Sequence, residues 1–178
     1  MKKHYLLILG ILLFTTTFAQ KGKNQIIPAI EIGLPAGEFD GYKTGIGLLG
    51  KILIGFGKNS QIGFTTGYSD FKSKVTTDDY KVKTTVVPFL ASYRYNLSAL
   101  YLEPQVGFGR YTTTIKEEVG GTETKTTNGG GAFTWAIGAG VQVSSIDLGV
   151  RYQAGSKDGN TIGYFGIHAG YIFRTGKN

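Results

Sequence analysis

The chain of 178 residues contains no cysteine. That excludes disulfides, a thiolate nucleophile and any cysteine-ligated metal, and it leaves no cysteine for a lipid anchor. Long apolar runs are missing too. The longest, Tyr5–Phe14, spans ten residues, far short of the ~20 a membrane-crossing helix needs. No segment carries a convincing helical period. Histidine is scarce, with only His4 and His168. There is no phosphate-binding loop, no His/Asp metal cluster and no nucleotide fingerprint, so neither a cofactor nor a metal is expected.

Glycine, by contrast, is abundant: 28 residues, over twice the usual share of about 7%. The length fits one domain. The formal charge is +7, but the lysines are scattered, many of them in Thr-rich stretches. A nucleic-acid face needs clustered charge, so nucleic acid is not an expected partner. The N-terminus reads as an export signal: basic Met1-Lys2-Lys3-His4, the apolar core Tyr5–Phe14, then Thr15-Thr16-Thr17-Phe18-Ala19. Cleavage after Ala19 leaves residues 20–178 as a single exported domain.

In Phe133–Val143 the odd positions (Phe133, Trp135, Ile137, Ala139, Val141, Val143) are apolar, and the even ones are small or polar. Such alternation marks a β-strand with one greasy face. Seven further stretches repeat it: about Gln25–Leu34, Lys43–Phe56, Gln61–Phe71, Lys83–Tyr95, Leu100–Thr113, Ile146–Ala154 and Thr161–Phe173. At about 9–14 residues these are long for a soluble domain and suited to crossing a bilayer at a tilt of ~45°.

Alternation alone does not separate a membrane barrel from a soluble sandwich. The polar faces do. Thirteen glycines (33, 45, 47, 55, 63, 67, 107, 109, 138, 140, 149, 166 and 170) fall on them, against Gly50 and Gly163 on the apolar side. Glycine weakens a solvent-facing strand, but it makes room inside a narrow eight-stranded barrel. Glu31, Lys51, Arg94, Glu103, Asp147 and Arg151 sort to the same face as three acids and three bases. On the lipid side a mid-membrane Lys or Arg costs ~2–4 kcal/mol. Inside, these charges are expected to form a network with Gln105, Gln142, Gln153 and His168. The predicted fold is all-β: an eight-stranded antiparallel up-and-down transmembrane β-barrel, apolar outside.

Connections Pro35–Tyr42, Lys72–Val82, Thr114–Gly131 and Gly155–Asn160 are expected as loops at one end, the third being the longest. The alternate connections are tight turns, the periplasmic pattern of outer-membrane barrels. Aromatic girdles are expected from Phe56, Tyr93, Tyr95, Tyr101, Tyr171 and Phe173 at the short-turn end. Tyr68, Phe108, Trp135, Tyr152 and Phe165 would form the other. Pro28, Pro88 and Pro104 fall inside strands, where each removes a ladder donor, so bulges or ragged edges are expected there.

Val87-Pro88-Phe89-Leu90-Ala91-Ser92-Tyr93-Arg94-Tyr95 and Tyr101-Leu102-Glu103-Pro104-Gln105-Val106-Gly107-Phe108-Gly109 resemble the outer-membrane β-barrel domain family, with its small OmpA/OmpX-like, "porin family" members. The resemblance spans the mature chain, although Phe173 is followed by Arg174-Thr175-Gly176-Lys177-Asn178 where the family usually ends on an aromatic. It implies a Gram-negative outer-membrane location and contact with outer-membrane lipid and lipopolysaccharide. It also implies insertion by the barrel-assembly machinery, a monomer, and an extracellular ligand taken by the loops.

Four other readings compete. His168 would serve a lipid-modifying enzyme, but a nucleophile must stand within hydrogen-bond reach and no Ser lies near it along its strand. Glu31 and Glu103 as a glycosidase pair are outweighed by their role as ion-pair partners. A passive pore conflicts with large polar side chains in so narrow a barrel, and a secreted lipocalin-type barrel would invert the faces. The expectation is a non-enzymatic barrel with a largely plugged interior and no catalytic, cofactor or metal residues.

Overall fold

The computed structural model describes residues 24–75, 77, 80–119, 122–157 and 160–175. The expected signal peptide, residues 1–19, lies outside the described residues. Nine strands form one antiparallel sheet: β1 Asn24–Ala36, β2 Gly45–Phe56, β3 Ser60–Lys72, β4 Tyr80–Leu97, β5 Leu100–Val119, β6 Thr122–Val143, β7 Ile146–Lys157, β8 Asn160–Tyr171 and β9 Phe173–Thr175. Each strand pairs with the next, and β1 closes the sheet by pairing with both β2 and β8. It is an eight-stranded up-and-down transmembrane barrel. β9 pairs with β1 in the register that β8 set, so it is the tail of the eighth wall strand.

Inside and outside follow residue parity. Ile46, Leu48, Val106, Phe108, Ile137, Leu148 and Val150 are exposed, Ile46 at 73%, whereas Lys51, Glu103 and Arg151 are at most 2% exposed. In water this would be an inverted protein. With acyl chains around it, the apolar band is in its preferred solvent and the polar groups are enclosed. Exposed Phe89, Phe108 and Phe133 lie on one rung across β4, β5 and β6. Trp135, Tyr152 and Phe165 touch across β6–β8, with ring centroids 5.6 and 4.9 Å apart.

Three expectations need correction. Tyr101 is not in the outer girdle; it shares parity with Glu103 and is buried. Residues 114–119 and 122–131, expected as part of a loop, are strand. β5 and β6 stay paired through Val119 and Thr122, so the barrel wall continues as a protruding hairpin. Threonine and isoleucine favour strands. The alternation that would have revealed them is absent, because both faces of the hairpin meet water.

The prolines produce gaps, not bulges. Each ladder keeps one register along its length, yet pairing lapses between Gly170 and Phe173 opposite Pro28 and Ile27, between Thr66 and Ser69 opposite Pro88, and between Ser92 and Tyr95 opposite Pro104. A missing N–H removes a rung without displacing its neighbours.

The tight turns lie at one end: 57–59, Ser98-Ala99 and Ser144-Ser145. Gly57, Ser98 and Ser144 adopt positive φ there, as a sharp reversal requires. At the other end, the 3-10 turn Gly37–Phe39 folds inward and buries Phe39.

Candidate functional site in the barrel interior

The interior is stacked in three layers. Nearest the short turns, Ile27, Leu53 and Ile172 form a small apolar floor. Above it lies the ionic layer. Asp147 accepts from Arg94 Nη1 (2.8 Å), Tyr101 OH (2.9 Å) and Gln142 Nε2 (3.2 Å), and its Oδ1 is 3.1 Å from His168 Nε2. Arg94 Nε donates to Glu103 (2.5 Å), and the guanidinium stacks 3.7 Å from the centre of the Tyr101 ring. Lys51 Nζ stands 3.3 Å from Glu103 Oε1 and 3.2 Å from His168 Nε2.

A second knot sits beside the first. Arg151 grips Glu31 with Nε at 2.6 Å and Nη2 at 2.9 Å, and Nη2 also donates to Tyr164 OH (3.1 Å). Gln105 joins the knots: its amide N–H donates to Glu103, and its oxygen lies 3.4 Å from Arg151 Nη1. The structure therefore brings Glu31, Lys51, Arg94, Glu103, Gln105, Gln142, Asp147, Arg151 and His168 into one hydrogen-bonded system. Gln153 is buried on the rung between Ala136 and Tyr164. Three bases face three acids, so the layer is neutral as a whole. Bidentate and shared contacts of this kind are the condition on which buried ions are tolerated.

Glycines seat the large members. A Cβ at Gly33 or Gly45 would overlap the Phe71 ring, and one at Gly149 would meet Tyr101 and His168. At Gly155 it would meet Tyr111, and at Gly166 the Glu31 carboxylate.

No family model matches the chain, and no curated protein matches its sequence. Among solved structures it is similar to Ail, the attachment invasion locus protein of Yersinia pestis, with a TM-score of 0.62 at 13% identity, covering 86% of this chain and 100% of that one. The N-terminal β-barrel domain of Pseudomonas aeruginosa OprF aligns with a TM-score of 0.53 at 12% identity, again over 86% of this chain and 100% of that one. The same Yersinia protein in complex with the heparin analogue sucrose octasulfate aligns with a TM-score of 0.63 at 14% identity, over 86% and 100%. The fold is that of the small OmpA/OmpX-like outer-membrane β-barrels.

Within this outer-membrane-type barrel, the hydroxyl in contact with His168 is that of Tyr101. His168 Nε2 is shared among Lys51, Tyr101 and Asp147, at 3.2, 3.3 and 3.1 Å. Glu31 and Glu103 are each committed to a guanidinium, and neither faces open space.

The third layer, at the mouth, is one the sequence reading missed. Phe39, Phe71, Val86, Tyr111, Ala132 and Tyr164 pack together, with Tyr42 and Ile162 against them. Phe39 meets Phe71 edge-on at 4.9 Å, and Phe71 lies 5.0 Å from Tyr164. Thr161 N–H donates to Glu38 (2.9 Å) and Thr84 to Tyr42 OH (3.0 Å), which ties the first loop down over the barrel. Parity was the available signal: Phe71 follows Ser69, and Tyr111 follows Gly109, on inward rows.

Proposed function

We propose that the protein is a non-enzymatic integral outer-membrane barrel with a plugged interior, whose long-loop end works at the cell surface. The observation that carries this reading is the filled interior. An apolar floor, a charge-neutral ionic layer and an aromatic cap lie in series along the axis. A water path would have to strip buried ion partners from one another, and losing one partner of such a pair typically costs ~3–5 kcal/mol. The exposed apolar band supports residence among lipids. The outer-membrane neighbours and the signal-like N-terminus support export to the outer membrane as a monomer inserted by the assembly machinery. The β5–β6 hairpin, projecting past the aromatic band, is the element best placed to meet an extracellular ligand; the Yersinia neighbour is named for attachment and was solved with a heparin analogue.

Reconstitution in planar bilayers tests the plug. The expected record is a flat baseline, and a steady ohmic conductance would favour a passive pore. Fractionation with outer membranes and heat-modifiable gel mobility test the location and the barrel.

A further inference from the structure

The lipid-facing wall is not an even cylinder. On β8, outward Ala169 is ringed by larger exposed side chains: Ile30 and Leu148 on its own rung, Ile167 and Tyr171 two residues to either side along the strand. A hollow of about 640 Å³ runs from Ala169 to Pro28, Leu48, Ile146 and Tyr171, over the pairing lapse that Pro28 leaves beside β8. A second, of about 610 Å³, shares Ile30 and Ala169 with the first and crosses Leu148 and Ile167 to reach Ala139. Together they form one apolar trough, which opens towards the short turns at Ile146 and Tyr171.

That open end carries a cation. Ile146 follows the Ser144-Ser145 turn, and Arg174 is laid over this turn: Nη2 donates to the Ser144 carbonyl, and Nη1 stands 3.5 Å from Ser145 Oγ. The guanidinium is exposed, and no carboxylate pairs with it among the described residues. Three residues of strand, about 10 Å, separate it from Tyr171. Tyr171 and Phe173 stack at 4.8 Å in between, and aromatic side chains of this kind mark the headgroup level of a membrane. The seryl contacts fix the fork in place and leave donors to spare, since a guanidinium has five N–H groups and phosphate takes them in pairs.

We propose that the trough is a site for one glycerophospholipid of the periplasmic leaflet, with its phosphate on Arg174 and an acyl chain lying over Ala169 towards Ala139. It rests on the outer-membrane reading above, which sets the short turns at that leaflet. Hydrophobicity does not select the occupant, because every surrounding tail is as apolar as the wall. Packing and charge do. A chain in the trough touches Ile30, Leu148 and Ile167 on several sides instead of one flat face, and its headgroup meets a fixed cation. Free phosphate lacks the first contact and a neutral lipid lacks the second.

The test is native mass spectrometry of the refolded full chain, its folding shown by heat-modifiable mobility, in detergent micelles titrated with palmitoyl-oleoyl phosphatidylglycerol. One lipid retained above the statistical background is expected. Arg174→Gln lowers its affinity about three- to fivefold, as an exposed charge contact implies, and Arg174→Lys, which keeps the charge without the fork, falls between. Ala169→Phe fills the trough and lowers it at least about threefold, through the packing it displaces. Ala91→Phe, at an outward alanine on β4 away from the trough, leaves it unchanged. Neither dioleoylglycerol nor inorganic phosphate is retained. A folded barrel that keeps no lipid, keeps it equally after Arg174→Gln and Ala169→Phe, or holds inorganic phosphate or dioleoylglycerol as well, overturns the site and leaves the plugged-barrel reading intact. Conductance in bilayers would overturn that reading without touching the lipid result.

Discussion

Arg151 and Glu31 offer the most decisive perturbation of the interior. They join β7 to β1 across 120 positions of sequence through two hydrogen bonds of 2.6 and 2.9 Å, in a site nearly closed to solvent. Arg151→Leu leaves the Glu31 carboxylate, among the described residues, with the Tyr164 hydroxyl, 3.3 Å away, as its remaining donor. Breaking a buried pair in this way should cost about 3–5 kcal/mol. Glu31→Leu strands the guanidinium and should cost a similar amount. If the cost arises from the orphaned charge, the double variant recovers most of it, since replacing a whole buried pair by apolar side chains is often neutral or better. The expected coupling is thus several kcal/mol, far above the ~0.3–0.5 kcal/mol scatter of independent sites. Reversible urea unfolding in lipid vesicles can measure it through Trp135, the chain's only tryptophan, which faces outward. A double variant that loses the sum of the two single losses would refute the reasoning, because the partners would then act through packing and not through charge.

Further tests are independent of that pair. Gly33→Ala should destabilise by about 1–3 kcal/mol, because its Cβ would fall 2.7 Å from Phe71 Cζ, and the loss should shrink in a Phe71→Leu background; urea titration decides. Ile137→Arg, in the middle of the apolar band, should cost about 2–4 kcal/mol, while Thr124→Arg on the hairpin should stay within about 0.5 kcal/mol; the same titrations separate lipid from water as the surroundings. Hydrogen exchange should be faster at Thr122–Gly131 than at Phe133–Val143, since among the described residues only the latter stretch is bonded on both sides. On the hairpin, Lys116 donates to Glu123 at 2.6 Å and holds its carboxyl below the usual range. A depressed carboxylate stabilises above its ordinary pKa of about 4.3, and that contribution disappears as pH falls through the lowered value. An NMR titration of Glu123 should therefore move upward in Lys116→Ala.

Much of this architecture was legible because a barrel wall obeys a period of two without exception. One correct assignment per strand fixes every other side chain, which is how Lys51, Arg94 and Asp147 could be placed within one enclosure from strands far apart in the chain. The same rule, applied without a break, would have placed Tyr101 inside; its aromatic character suggested a girdle, and parity overrode it. The hairpin was illegible for a different reason. Alternation is written by the contrast between lipid and lumen, and beyond the bilayer there is no contrast to write it. The aromatic cap was hidden because Phe39 arrives from a connection, where no period applies, to meet Phe71, Tyr111 and Tyr164 from three separate strands.

The grip of Arg151 on Glu31 also bears on how such a wall is completed. The first strand carries an acid whose counter-ion stands on the seventh, so an open sheet holds the two charges apart until its ends meet. Closing the seam between the first strand and the last brings that charge its cation at the same moment that it gives the open edges their partners. An open sheet keeps both an unsaturated edge and a stranded carboxylate, and joining the two ends relieves both at once.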